Sequence, residues 1–111
     1  MSLIEKIRKA REVNIEADGH TFTIRRPTDE EALTLRGDEI TLVSIVKRFT
    51  IGWNLQEIDL IPGGVPVAVP FDYDLFSEWV ADRPEVWEPL GNGILDAYRA
   101  HSEKRSEAAK N

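Results

Sequence analysis

Residues 11–27 read Arg11-Glu12-Val13-Asn14-Ile15-Glu16-Ala17-Asp18-Gly19-His20-Thr21-Phe22-Thr23-Ile24-Arg25-Arg26-Pro27, and this stretch decides the fold. Val13, Ile15 and Ala17 alternate with polar neighbours, and His20, Phe22 and Ile24 alternate again after Asp18-Gly19. A period of two is the pattern of a strand with one buried face. Asp-Gly suits a type I′ turn, whose two central residues both take positive φ. A two-residue loop sets Ala17 opposite His20, Ile15 opposite Phe22 and Val13 opposite Ile24, so all three pairs share one face. An isolated hairpin is marginally stable in water. This one is expected to pack on helices or on a neighbouring chain.

Upstream, Leu3, Ile4 and Ile7 fall at helical spacing between charges, which predicts a short amphipathic helix over residues 2–10. Its terminal position suggests loose attachment or docking onto another subunit. Downstream, Pro27 stops the second strand, and Thr28-Asp29-Glu30-Glu31 predicts a capping box with acids at the positive end of the helix dipole. That helix is expected to reach about Arg36 and stop at Gly37. Asp38 is the expected cap of a buried helix over roughly residues 39–51, apolar around most of its circumference.

Periodicity then disappears. Pro62-Gly63-Gly64, Pro66 and Pro70 mark a long irregular connection over residues 52–71. It holds Trp53, Leu55, Ile58, Leu60, Ile61 and Phe71, too many apolar groups for a disordered linker, and Val65, Val67 and Val69 alternate as a short extended piece. Asp72 or Asp74 is placed to cap a helix through Leu75, Phe76, Trp79 and Val80 to about residue 83. Pro84 opens the last helix, with Trp87, Leu90, Ile94, Leu95 and Tyr98 as its apolar stripe. Gly91 and Gly93 weaken that helix by up to ~1 kcal/mol each and suit a bend or a close crossing. The predicted fold is α+β: an N-terminal β-hairpin packed on a mostly helical domain of about four helices. Residues 1–101 are expected to form a single domain and residues 102–111 a polar tail or helix extension.

Composition narrows the functional classes. The 111 residues include no cysteine, which excludes disulfides, thiolate catalysis and cysteine-ligated zinc, and fits a reducing compartment. No apolar run approaches the ~20 residues of a membrane-spanning helix, and the N-terminus turns charged too early for a signal peptide. A soluble protein of the cytoplasm is expected, without membrane attachment. The net charge of −6 disfavours nucleic acid, whose phosphates supply most of the affinity of such complexes. Lys6, Arg8, Lys9 and Arg11, and the pair Arg25-Arg26, are diluted by Glu5, Glu12 and Glu16 and read as solvated faces.

No motif carries chemistry. His20 and His101 are the two histidines, and nothing places Ser44 or Ser77 beside either to build a triad. Asp72-Tyr73-Asp74 lacks the glycine and later glutamate of a calcium loop, so helix capping explains it better. Pro62-Gly63-Gly64 has no following Gly-Lys-Ser/Thr and is not a phosphate loop. The expectation is no catalytic residue, no metal and no cofactor. Trp79 and Trp87 read as core; Trp53 and Phe71, flanking the long loop, read equally as core or interface.

Taken in order, Phe22-Thr23-Ile24-Arg25-Arg26-Pro27-Thr28 with Glu31, Gly52-Trp53-Asn54-Leu55, Asp59-Leu60-Ile61-Pro62-Gly63-Gly64, Val69-Pro70-Phe71-Asp72, Phe76-Ser77-Glu78-Trp79, Asp82-Arg83-Pro84 and Ala97-Tyr98-Arg99-Ala100-His101 form a pattern. Over about residues 20–101 it resembles the small tail assembly chaperones of long-tailed bacteriophages and prophages. The resemblance implies a non-enzymatic protein of the bacterial cytoplasm that coats the tape-measure protein, recruits tail-tube subunits and is absent from the finished virion. Such families offer no invariant site residues. Trp53, Leu60, Ile61 and Phe71 are the candidate partner-binding residues, and self-association through the N-terminal helix or hairpin edge would multiply weak contacts along a long client. The competing readings are a structural head–tail or tail component retained in the virion, and an enzyme, which would need a pocket with convergent polar groups of perturbed pKa.

Overall fold

The computed structural model describes residues 1–37 and 40–110. The hairpin forms as expected. Strands β1 (Glu12–Ala17) and β2 (His20–Arg25) pair antiparallel, with Ala17 opposite His20, Ile15 opposite Phe22 and Val13 opposite Ile24. Asp18 and Gly19 take φ of 50° and 78°, the left-handed pair that a type I′ turn requires. The apolar face is buried unevenly. Ala17, Phe22 and Ile24 are in the core, Ile15 is half-buried, and Val13 at the open end of the hairpin stays exposed.

The sheet has a third strand beyond the expected hairpin. β3 (Thr50–Trp53) pairs antiparallel with β2, which makes β2 central, and the register shifts between Thr23 and Ile24. The expected helix over residues 39–51 is accordingly shorter. Thr41 caps it, its hydroxyl accepting from Ser44 N–H while Ser44 reciprocates. The expected cap, Asp38, lies outside the described residues. The helix named α3 below therefore runs Leu42–Phe49 and passes straight into β3.

Six helices occur among the described residues, two of them a single turn: α1 (Leu3–Lys9), α2 (Asp29–Ala32), α3 (Leu42–Phe49), α4 (Glu57–Leu60), α5 (Tyr73–Val80) and α6 (Pro84–Lys110). The Thr28–Glu31 capping box is present in full, but α2 ends at Ala32 rather than near Arg36. Asp72 caps α5, accepting from Leu75 N–H at 2.9 Å, and Pro84 is the first residue of α6. The long last helix runs past residue 101 without a break and contains Pro89. Proline removes a backbone donor from a helix interior. The burial of Val86, Leu90 and Ile94 on the rest of the fold outweighs that loss.

One core joins these parts. Phe22 and Ile24 of the sheet meet Ile45, Val46 and Phe49 of α3, Phe76 and Val80 of α5, Val86, Leu90 and Ile94 of α6, and Leu55. The close crossing expected at the α6 glycines is real. A Cβ on Gly91 would lie 2.6 Å from Leu42 Cδ2, and one on Gly93 would strike Ile15 Cδ1.

Thr50 is buried to 2% exposure, and its hydroxyl is the one buried side-chain polar atom without a partner among the described residues. A buried unpaired hydroxyl costs about 1–3 kcal/mol. Thr50→Val keeps the branched shape and is expected to stabilise the fold by about 1 kcal/mol, raising the calorimetric Tm by roughly 5 °C. An unchanged or lower Tm would mean that the hydroxyl is satisfied in solution.

Candidate protein-binding surface

The connection from β3 to α5 is ordered by backbone bonds. Glu57 N–H donates to Val67 O at 2.9 Å, Ile58 N–H to Val65 O at 3.0 Å, and Val69 N–H to Leu55 O at 3.0 Å. The alternating valines thus form an extended piece that folds back on residues 55–58, with a β-bridge between Gln56 and Ala68. Asp59 closes α4 by accepting from Gln56 N–H at 2.8 Å.

The four nominated residues fall into two adjoining groups around α5. Trp53 and Phe71 meet edge-on with ring centroids 5.0 Å apart, and both contact Phe76. Trp53 Nε1 also donates to Val69 O at 2.7 Å, which ties the loop to β3. Leu60 and Ile61 line a shallow depression of about 410 Å³ with Leu75 and Trp79. Trp79 stacks on Phe22 at 6.1 Å and donates to Asp59 O at 3.3 Å. Only Ile61 of the four is well exposed, at 52%. Trp53, Leu60 and Phe71 are half-buried against the core, as are Trp79 and Trp87.

The accessible apolar groups lie beside the nominated ones. Ile58, Val65, Val67, Tyr73 and Leu75 are exposed, Val67 to 59%, and with Ile61 they make residues 58–75 an apolar surface on a rigid frame. The clue in the sequence was the alternation of Val65, Val67 and Val69, of which Val65 and Val67 face outward from the paired segment and Val69 is half-buried. A second apolar surface is α1, where every side chain is exposed, including Leu3 at 77%, Ile4 at 55% and Ile7 at 56%.

The polar clusters are internally satisfied. Arg25 grips both carboxylate oxygens of Glu31 at 2.7 and 2.9 Å, Thr28 N–H adds a third bond at 3.0 Å, and Arg48 stands 3.6 Å away. The Arg25 hydrogen bonds, helped by Thr28 and opposed by burial, bring the Glu31 carboxyl down to about 2. Asp29 accepts from Arg105 and from Tyr98 Oη at 2.9 Å, and these bonds, Arg105 first, hold its carboxyl below the ordinary range. His101 lies 3.5 Å from Asp29 and His20 3.9 Å from Asp59. Among the described residues no group of three or more His, Asp or Glu side chains could hold a metal ion, and no helix is long and apolar enough to cross a membrane. Set against known proteins, the chain matches no family model, no curated protein and no solved structure.

Proposed function

We propose that this protein is a tail assembly chaperone of a bacteriophage or prophage, acting in the host cytoplasm by binding the tape-measure protein and tail-tube subunits, without catalysis. The observation that carries the reading is the hydrogen-bonded apolar surface of residues 58–75, which lies among and between the segments that carry the family resemblance. A holdase needs apolar area for its client together with charge that keeps the complex in solution. Ile58, Ile61, Val65 and Val67 supply the first, and the net charge of −6 supplies the second. Trp53, Leu60 and Phe71 present partial faces and hold the frame from beneath.

The test is co-expression with the tape-measure protein of the same gene neighbourhood, followed by pull-down and a solubility assay. The client is expected to become soluble and to co-purify with several copies of the chaperone. Val65→Asp with Val67→Asp, both solvent-exposed positions, should lower the recovered client about tenfold, the equivalent of ~1.4 kcal/mol, with circular dichroism unchanged. A client that stays insoluble and unbound would sink the reading in favour of a structural component of the particle.

A further inference from the structure

The two exposed apolar surfaces differ in charge. Helix α1 carries Lys6, Arg8 and Lys9 against Glu5, and presents Leu3, Ile4 and Ile7 to solvent. The depression floored by Leu60, Ile61, Leu75 and Trp79 is rimmed by Glu78, Asp82 and Arg83, two acids against one base. Its surroundings are strongly acidic: residues 72–88 contain six acids and a single base, Arg83, which lies over the Trp79 ring at 5.5 Å. A basic amphipathic helix and an acidic-rimmed apolar groove are complementary in both respects.

The two surfaces stand at opposite ends of the sheet. Arg11, directly after α1, pairs with Arg26 at the open end of the hairpin, whereas Asp59, next to Leu60, lies by His20 at the turn end. The six residues of β1 separate these ends by roughly 17 Å at the rise of a strand. Ala10 and Arg11 link α1 to β1, and every side chain of α1 is exposed, so the helix does not occupy the groove of its own chain.

We propose that α1 of one copy docks in the Leu60–Ile61–Leu75–Trp79 groove of the next. The contact is heterologous, because each copy offers a helix at one end and a groove at the other, so it propagates head to tail into a chain or closes as a ring. A seven-residue helix buries less than the ~1,200 Å² of a standard interface, so each link is weak and the assembly depends on concentration. The inference concerns the protein alone and stands independently of any client.

Sedimentation velocity on the full chain tests it. The weight-average mass is expected to climb above the 12.6 kDa of the monomer as concentration rises. It should fall back in ~1 M salt, where charges are screened within about 3 Å. Ile4→Asp with Ile7→Asp should hold the protein at monomer mass, and so should Ile61→Asp alone; all three positions are exposed, and unchanged thermal melts confirm folding. Mixing these two variants is the decisive step. One retains the groove and the other retains the helix, so the mixture should form a one-to-one dimer that grows no further. Lys6→Glu with Lys9→Glu should abolish association, and adding Glu78→Lys with Asp82→Lys to the same chain should restore it. A wild-type protein that stays monomeric, helix variants that associate normally, or a variant mixture that remains monomeric would each overturn the proposal.

Discussion

Replacing Phe76 with alanine is expected to cost about 3–5 kcal/mol, the range for deleting a buried aromatic ring. Phe76 is fully buried, and its ring meets Phe22 at 6.2 Å, Trp53 at 6.1 Å, Phe71 at 5.7 Å and Trp79 at 6.4 Å. Four aromatic partners from the sheet, the loop and α5 converge on one side chain, so none can collapse into the void without leaving its own contacts. Domains of this size are typically stable by only about 5–15 kcal/mol. The loss is therefore a large share of the total, and the urea midpoint of the variant should fall in proportion to it. Phe76→Leu fills most of the volume and should lose about half as much. If Phe76→Ala costs under ~1 kcal/mol, the cluster does not hold the loop to the fold.

The second large effect concerns Glu31, whose side chain is 19% exposed. Its carboxylate bonds Arg25, caps α2 through Thr28 and faces Arg48, while both guanidinium groups lie over the Phe49 ring at 4.8 and 5.0 Å. Glu31→Gln keeps the shape, removes the charge and leaves two arginines facing each other over one ring. Its expected cost at pH 7 is about 2 kcal/mol, after allowing for solvent screening of the partly exposed pair. The sign with pH follows from the depressed carboxyl. Its folded value of about 2 lies below the ordinary 4.5, so the stabilisation is complete above about pH 4.5 and drains away as pH falls toward 2. Urea unfolding at pH 7 and at pH 3 checks this: the gap between wild type and Glu31→Gln should be widest at pH 7 and shrink in acid. A gap that is the same at both pH values would show that the ion pair contributes nothing.

Local chemistry was the legible part. The hairpin register, the Thr28–Glu31 box, the Asp72 cap and Pro84 at the start of α6 each rest on residues within a few positions of one another. β3 was not legible. Thr50-Ile51-Gly52-Trp53 is too short to show a period, contains glycine, and becomes a strand because the edge of β2 stands open beside it. The sequence extends the helix before it too far because Ile51 continues its apolar run. The extent of α6 was also undecidable locally, since Pro89, Gly91 and Gly93 argue against a helix that Leu42 and Ile15 hold in close contact. Beyond residue 101 that helix is anchored by Arg105 on Asp29, a pair 76 positions apart.

For the candidate surface, the sequence nominated Trp53, Leu60, Ile61 and Phe71, and the fold exposes their neighbours more than most of them. That residues 52–71 would form an irregular, apolar-rich connection with a short extended piece over residues 65–69 followed from composition, proline spacing and alternation. Which side chains face water did not follow, because Trp53 and Phe71 turn inward only where Phe76 of α5 gives them a partner. By itself the sequence determined an α+β chain with a type I′ hairpin, capped helices, no cysteine chemistry and an acidic surface, all properties of neighbouring residues or of composition. Only the tertiary structure decided the third strand, the outward faces of Ile58, Ile61, Val65 and Val67, and the placing of a basic helix and an acidic groove at opposite ends of the sheet. These depend on contacts between residues distant in the chain, which no local pattern encodes.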